Sequence, residues 1–374
     1  MNILFTNFHP GNGGGHRTYI NYIFHNLNHK DLKLFIAIPQ SSKLAEDFKK
    51  RNYNNLFFIE YPVKFREFGS FTRNLFRLNS LISKYSIDVV HTNGNPDHKL
   101  VAFCKFIFNN SFYIVRTKHN SSPIKDNYLH KKLYGKYCDH LIVVSQYQYD
   151  SIKENNIRDK TVVIKNGIDL NFFVKKIPKP KSLLKKFNIK GNDIVLVSNA
   201  GTALHKGWPM MLEAVSEVDP KLRKFLKIII IGNHPNDDIL KRFVIPFSIE
   251  DQVFFTGFLD DVRGYLSLGD IGFVLSSSIE TISYACREMM AMGLPVIVTN
   301  NGGLSENIDH KKSGWIIKNN DIESLKAILE NLFKLDLVTY SSNATEKANS
   351  EFGIDLFIKQ MAKFYQDILI RIKR

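Results

Sequence analysis

The stretch IGFVLSSSIETISYACREMMAMGLPVIVT, residues 271–299, reads as strand, loop, helix and strand. Ile271–Leu275 and Val296–Thr299 are short apolar runs of the kind that form strands buried on both faces. Thr281–Ser283 carry hydroxyls that can cap a helix start and leave backbone N–H groups facing an anion. Two carboxylates interrupt this core-like segment, Glu280 and Glu288. An unpaired buried carboxylate is costly, so at least one of them is expected to meet a polar group. In a single continuous helix the two would lie about 80° apart and share no face, which favours Glu280 in the loop and Glu288 two turns into the helix.

The same alternation runs outward through the chain. Strands are predicted at Asn2–Phe5, Leu34–Ile38, Leu56–Ile59, Val89–Thr92, Tyr113–Arg116, Leu141–Val144 and Thr161–Ile164. A second series follows at Ile194–Ser198, Lys227–Ile231, Val253–Thr256, Ile271–Leu275 and Val296–Thr299. Helix-length segments between them predict an α/β fold of parallel sheets covered by helices. VKKIPKPKSLLKKFNIKGND, residues 174–193, has two prolines, many lysines and little to bury, so it reads as a linker. The expected architecture is two Rossmann-like, doubly wound domains, residues 1–176 and 177–354, facing each other across a cleft. Asp355–Lys373 places Phe357, Met361, Phe364 and Ile368 at helical spacing, and this helix (355–374) could pack back on the first domain.

Composition narrows the class. The 374 residues are 44% hydrophobic and 23% charged, as in a soluble globular protein. No apolar run approaches the roughly 18–20 residues needed to cross a bilayer. MNILFTNFHPGNGGGH lacks a basic start and meets Pro and Gly too soon for a signal peptide, so a cytoplasmic protein is expected. Cys104, Cys138 and Cys286 are scattered, which argues against a disulfide framework and a structural zinc. Lys plus Arg number 51 against 36 Asp plus Glu, a net charge of +15. The excess points to an anionic partner (membrane surface, nucleic acid or phosphorylated substrate) or simply to solvated lysine faces.

Several segments admit two readings. HPGNGGGHRTYINYIF, residues 9–24, follows the first strand, but G-x-G-x-x-G fails because Gly11-x-Gly13-x-x ends on His16. It is either a tight turn or a backbone site for a phosphate or acceptor. Glu288 pairs either with vicinal hydroxyls of a ribose-like ligand or with Arg287. KFREFGSFTRNLFRLNSLISKY, residues 64–85, contains an amphipathic helix with Phe71, Leu75, Leu78 and Ile82 on one face and Arg73, Arg77 and Lys84 on the other. Its basic face is either solvated or docked on anionic lipid. His91 and His98 lack a third ligand at matching spacing and read as strand-end residues rather than metal ligands.

Glu280-x7-Glu288 followed by AMGLPVIVTNNGGLSENI resembles the nucleotide-sugar site of retaining GT-B glycosyltransferases of the large family 4. DVVHTNG (88–94), RTKHN (116–120), VVSQ (143–146), VIKNGIDLNFF (163–173), SNAGTALHKGWPMMLEA (198–214) and VFFTGFLDDVRGYLSLGDIGFVLSSSIE (253–280) resemble further family motifs. The resemblance covers nearly the whole chain and is more specific in its second half. It implies that Glu280 holds donor-sugar hydroxyls, Glu288 the ribose and Lys206 the diphosphate, with His119 near the sugar ring. It also implies that Gly14, Gly15, Thr202, Gly257, Thr281, Ile282 and Ser283 line the donor site, Gly13 sharing the first loop. Gly302-Gly303-Leu304 would lie near the base or phosphates, and His16 and Asn93 would face the acceptor. Two departures stand out: Ala200-Gly201-Thr202-Ala203 replaces the usual Arg before the Lys, and Thr281-Ile282-Ser283 replaces the glycines after the first Glu.

The implied activity is retaining transfer of a sugar from a nucleotide-sugar to a hydroxyl of a glycan or glycolipid. The setting implied is the synthesis of a bacterial surface polysaccharide such as lipopolysaccharide or capsule on the cytoplasmic side, and the basic helix within residues 64–85 adds peripheral contact with anionic membrane as an alternative to a solvated face. No DxD-like motif sits at a strand end, and neither a metal nor another cofactor is expected. A catalytically weak relative that only binds sugar nucleotides is the main alternative. A nucleic-acid-binding protein is disfavoured because no recognition module is found. A nicotinamide oxidoreductase is disfavoured by the broken glycine fingerprint.

Overall fold

The computed structural model describes residues 1–11, 14–62, 68–175 and 177–372. Expectations that rest on Gly13, on residues 64–67, on Lys176 and on Lys373 lie outside the described residues. Two compact units form: Met1–Gly167 with Ile354–Arg374, and Ile168–Gly353.

The first unit is a seven-stranded sheet built from β1 (Asn2–Thr6), β2 (Lys33–Ile38), β3 (Leu56–Phe58), β4 (Val89–Thr92), β5 (Tyr113–Lys118), β6 (His140–Val143) and β7 (Thr161–Val163). Its order is β3-β2-β1-β4-β5-β6-β7 and every pair is parallel. Ile3 and Phe5 of β1 join Val89, Val115 and Ile142 in one apolar layer, whereas Leu4 joins Val90 and Ile114 in the other. Burial on both faces is why these strands read as unbroken apolar runs. The helix Ile354–Ile372 lies in the first layer, where Phe357, Met361 and Ile368 share a core with Ile20 and Ile23 of the helix Gly14–Asn26. In the helix Phe68–Lys84, Leu75, Leu78 and Ile82 are buried, Phe71 packs beside them, and Arg73, Arg77 and Lys84 point to solvent.

The second unit is a six-stranded sheet of β8 (Ile194–Ser198), β9 (Leu226–Ile230), β10 (Val253–Phe255), β11 (Ile271–Val274), β12 (Val296–Thr299) and β13 (Gly314–Ile317), in the order β10-β9-β8-β11-β12-β13. All its pairs are parallel. β13 is absent from the sequence reading because only Trp315, Ile316 and Ile317 mark it, after the polar run Asp309–Ser313. The unit begins at Ile168 rather than at residue 177. Ile168 N–H donates to Phe352 O at 2.8 Å, and Phe173 packs into this unit's core with Leu183 and Leu184 beside it. The lysines between these residues concealed that apolar content.

In both sheets the order reverses beside the first strand of its unit, at β1/β4 and at β8/β11. Ligands of open α/β sheets bind where the loops after such strands diverge.

Candidate functional site

In the second unit the switch point brings together the segments after β8 and β11. Leu204–Lys206 form a single 3-10 turn ended by Gly207, and the loop after β11 carries Glu280. Lys206 Nζ donates to Glu280 Oε1 at 2.6 Å, and Ser276 Oγ lies 3.0 Å from the same oxygen. The side chains keep 26% and 17% of their exposure, so the pair is shielded yet reachable from solvent. A charge-assisted hydrogen bond this short is among the stronger polar contacts.

Two glycines set this geometry. Gly207 has φ +78°, and a Cβ there would sit 1.8 Å from Leu275 O, so only glycine lets the Lys206 turn close on the end of β11. Gly302 has φ +68°, and a Cβ would sit 2.2 Å from Glu280 O. Gly303 N–H donates to that same carbonyl at 2.8 Å. The Gly302–Gly303 turn therefore grips the backbone of Glu280.

Ser283 is the N-cap of the helix Tyr284–Ala291 and accepts from Cys286 N–H at 3.2 Å. Glu288 sits little more than one turn into that helix, not two, because the helix starts later than expected. Its partner is Asn199, whose Nδ2 donates to Glu288 Oε2 at 2.6 Å. Arg287 turns away to Asn307 Oδ1 at 2.7 Å and stacks on the Phe352 ring. Burial pushes Glu288 up to about 7, opposed by the Asn199 hydrogen bond. Asn199 Oδ1 is buried without a partner. A carboxylate and an amide oxygen thus stand together as acceptors, a set suited to neighbouring hydroxyl groups. Sequence reasoning did not single out Asn199. Its position at the end of β8 was the available signal.

Of the other residues assigned to the donor, Thr202, Gly257, Thr281 and Ile282 belong to this unit, whereas Gly14 and Gly15 belong to the first. Thr202 Oγ1 donates to Asn233 O at 2.6 Å and Thr202 O accepts from Trp208 Nε1 at 2.9 Å, so this threonine braces the turn before Lys206. Gly257 has φ +81° and bridges to Gly232 beyond the ends of β9 and β10. Thr281 is partly exposed and Ile282 is buried between Glu280 and the Ser283 cap.

In the first unit a histidine cluster stands past the ends of β1, β4 and β5. The His9 and His16 rings are 4.4 Å apart, His16 and His119 4.2 Å. His119 Nε2 is 2.9 Å from Asn93 Oδ1, and Asn93 Nδ2 donates to Thr6 O at 2.9 Å. His16, Asn93 and His119 are therefore neighbours. Gly14 (φ +46°) and Gly15 open the helix below them and are exposed. Burial, with the charges of His9 and Arg116, pushes His16 down to about 3, and burial likewise holds His119 well below its ordinary range. The cluster is neutral at neutral pH. Asp97, also outside the sequence reading, accepts from Thr6 Oγ1 and Asn93 N–H at 2.8 Å each and holds the Asn93 loop in place.

His91 and His98 lie elsewhere. His91 is buried between Tyr365 and Thr117, and His98 Nε2 faces Tyr137 O at 2.8 Å. Among the described residues no group of three or more His, Cys, Asp or Glu is placed to hold a metal ion, and no helix is long and apolar enough to cross a membrane.

The family model Glycosyl transferases group 1 matches residues 181–351, and Glycosyltransferase Family 4 matches residues 13–172, so the two take in most of the chain. The amylovoran biosynthesis glycosyltransferase AmsK of Erwinia amylovora is 30% identical over 197 residues, 49% of this chain and 48% of AmsK. The chain spans about half the length of the first curated relatives it matches. A glycosyltransferase structure from Rickettsia africae superimposes with a TM-score of 0.85 at 21% identity, covering 98% of each chain. Anabaena HepE in complex with UDP-glucose superimposes with a TM-score of 0.79 at 18% identity, over 98% of this chain and all of the other. At such identities the likeness speaks for the fold, and these structures are GT-B glycosyltransferases. With two parallel-sheet α/β units, each matched by its own family model, the chain belongs to the GT-B glycosyltransferases of group 1 and family 4.

Proposed function

We propose that this protein is a retaining glycosyltransferase that moves a sugar from a nucleotide-sugar to a hydroxyl of a glycan or glycolipid in the synthesis of a bacterial surface polysaccharide. One observation carries the reading: the Lys206–Glu280 pair at the switch point, with the Glu288–Asn199 pair on the helix that follows. HepE binding of UDP-glucose and the role of AmsK in amylovoran synthesis support the donor class and the setting.

The donor diphosphate replaces Glu280 as the counter-ion of Lys206, and the freed Glu280 accepts from sugar hydroxyls. Ribose hydroxyls donate to Glu288 and Asn199 Oδ1. In the transfer the bond between the anomeric carbon and the diphosphate oxygen breaks as the acceptor oxygen bonds to the same face of the sugar. The acceptor's proton passes to the leaving diphosphate, whose charge Lys206 and the N–H groups beyond Ser283 stabilise. Neutral His119, His16 and Asn93 offer hydrogen bonds to substrate hydroxyls in the first unit. No resident metal or other cofactor is assigned. Peripheral contact with an anionic membrane would bring a lipid-borne acceptor within reach.

A thermal-shift screen of UDP-, GDP-, ADP- and CMP-sugars tests donor binding, since a ligand of the native state raises Tm. The donor found is then followed for transfer and hydrolysis. Glu280→Ala and Lys206→Ala should each abolish turnover, and wild-type rates in both would overturn the reading. Binding without transfer or hydrolysis would identify a sugar-nucleotide-binding relative instead.

A further inference from the structure

Three helices of the first unit that follow one another in the chain, Phe68–Lys84, Asn95–Ile107 and Tyr128–Gly135, leave an unusual set of side chains outside the core. Phe76, Phe103, Phe106, Ile107, Tyr128 and Leu129 are roughly half to three-quarters exposed, Leu129 at 74%. Ring contacts link neighbouring helices here: Phe71 packs edge-on against Phe103, Phe76 against Phe108, and Phe106 against Tyr137. Between the second and third helices runs a groove of about 530 Å³, lined by Phe103, Phe106, Leu129 and Tyr137 with Lys99 and Lys132. An exposed apolar patch of this extent marks an interaction surface.

The exposed charges carried by these helices are all basic, although Lys105 pairs with Asp139 and Lys131 with Asp126 and Glu154 outside them. The first and third helices contain no Asp or Glu, and the one acid of the second, Asp97, is fully buried. Arg73, Arg77, Lys99 and Lys132 are exposed, and none of them is in an ion pair among the described residues. The Lys99 and Lys125 charges add to burial in holding His130, inside the groove, below its ordinary range. Aromatic side chains interleaved with lysines suit the headgroup region of an anionic bilayer, where rings sit at the acyl boundary and lysine stems reach up to phosphates. A second copy of the chain fits poorly, because a two-fold contact through this patch would set its cations against each other.

We propose that the surface formed by these three helices docks the protein on an anionic lipid bilayer, with Phe106 and Leu129 inserted and Lys99 and Lys132 at the phosphates. It deepens the peripheral membrane contact proposed above by naming the surface. It does not depend on which sugar is transferred.

The test is co-sedimentation of the full chain with mixed phosphatidylglycerol–phosphatidylcholine vesicles and with pure phosphatidylcholine vesicles, at low and high salt. Binding to the mixed vesicles, weakened by salt, is expected. The double variant Lys99→Glu/Lys132→Glu should weaken it about 20-fold or more. Phe106→Ser/Leu129→Ser should weaken it as strongly while keeping the wild-type Tm, since both side chains lie outside the core. Absence of wild-type binding at low salt, or wild-type binding by both variants, overturns the proposal. So does a dimer that the serine variant dissolves while vesicle affinity stays unchanged. The donor-induced Tm shift is read separately without vesicles, so the docking surface and the donor site can fail independently.

Discussion

The Glu288–Asn199 contact makes the candidate site sensitive to pH. With its carboxyl raised to about 7, native Glu288 keeps a proton that the unfolded chain has already released above its ordinary value of 4.5. Stability therefore falls as pH rises from 4.5 to 7 and stays lower above that. The difference is on the order of 2–3 kcal/mol, given the partly buried side chain. Glu288→Gln should flatten this dependence and raise Tm at pH 8, as measured by calorimetry. The same substitution should weaken nucleotide-sugar binding about 10-fold or more, because one strong acceptor of ribose hydroxyls is lost. In the wild type, hydroxyl groups are accepted best by the carboxylate, so donor Kd should tighten as pH passes upward through 7. A flat Kd between pH 6 and 8 would remove Glu288 from the donor site.

At the scale of elements, the site depends on turns that bring two loops into contact. Gly207 holds the 3-10 turn against the end of β11, and Gly302 holds the following turn against Glu280. Gly302→Ala combines a left-handed backbone with a clash against Glu280 O and should lower stability by about 3 kcal/mol or more. Gly257→Ala, also at positive φ but with open space around it, should cost only about 1–2 kcal/mol. Denaturant midpoints distinguish the two, and equal losses would mean that the Gly302 contact is not tight. Gly302→Ala should also reduce kcat, since Glu280 moves with its backbone.

Across the molecule, the two units carry opposite pH linkages. Burial lowers His16, His91 and His98 to about 3 in the first unit, so the folded form keeps them neutral where the unfolded chain is protonated. Their contribution is fully present above 6.5 and is lost as pH falls from 6.5 toward 3. Over pH 6.5 to 4.5 the first unit should lose stability on acidification while the Glu288 contribution grows in the second. Hydrogen exchange resolved by unit should show amides of β1, β4 and β5 losing protection at pH 5 before those of β8, β11 and β12. Simultaneous loss would mean that the units unfold as one.

Twelve of the thirteen strands among the described residues were legible because parallel strands buried on both faces leave uninterrupted apolar runs, and Lys227–Ile231 needs no context to be read. The helix near Ser283 was legible from cap chemistry, although it starts later than that reading put it, and Glu280 and Glu288 stood out as acids amid core residues. β13 and the start of the second unit were not, because Trp315–Ile317 is a run of only three apolar residues after a polar stretch, and Phe173 stands just before a lysine-rich one, so that only packing shows them buried. Nor could spacing show that Asn199, 89 residues from Glu288, is its partner. Local periodicity reports burial along one element, and so the chain by itself determined two α/β units and the acids of the candidate site. Which polar groups meet across 74 or 89 residues is decided by strand order, and only the folded sheets, reversing at β8 and β11, bring Lys206 to Glu280 and Asn199 to Glu288.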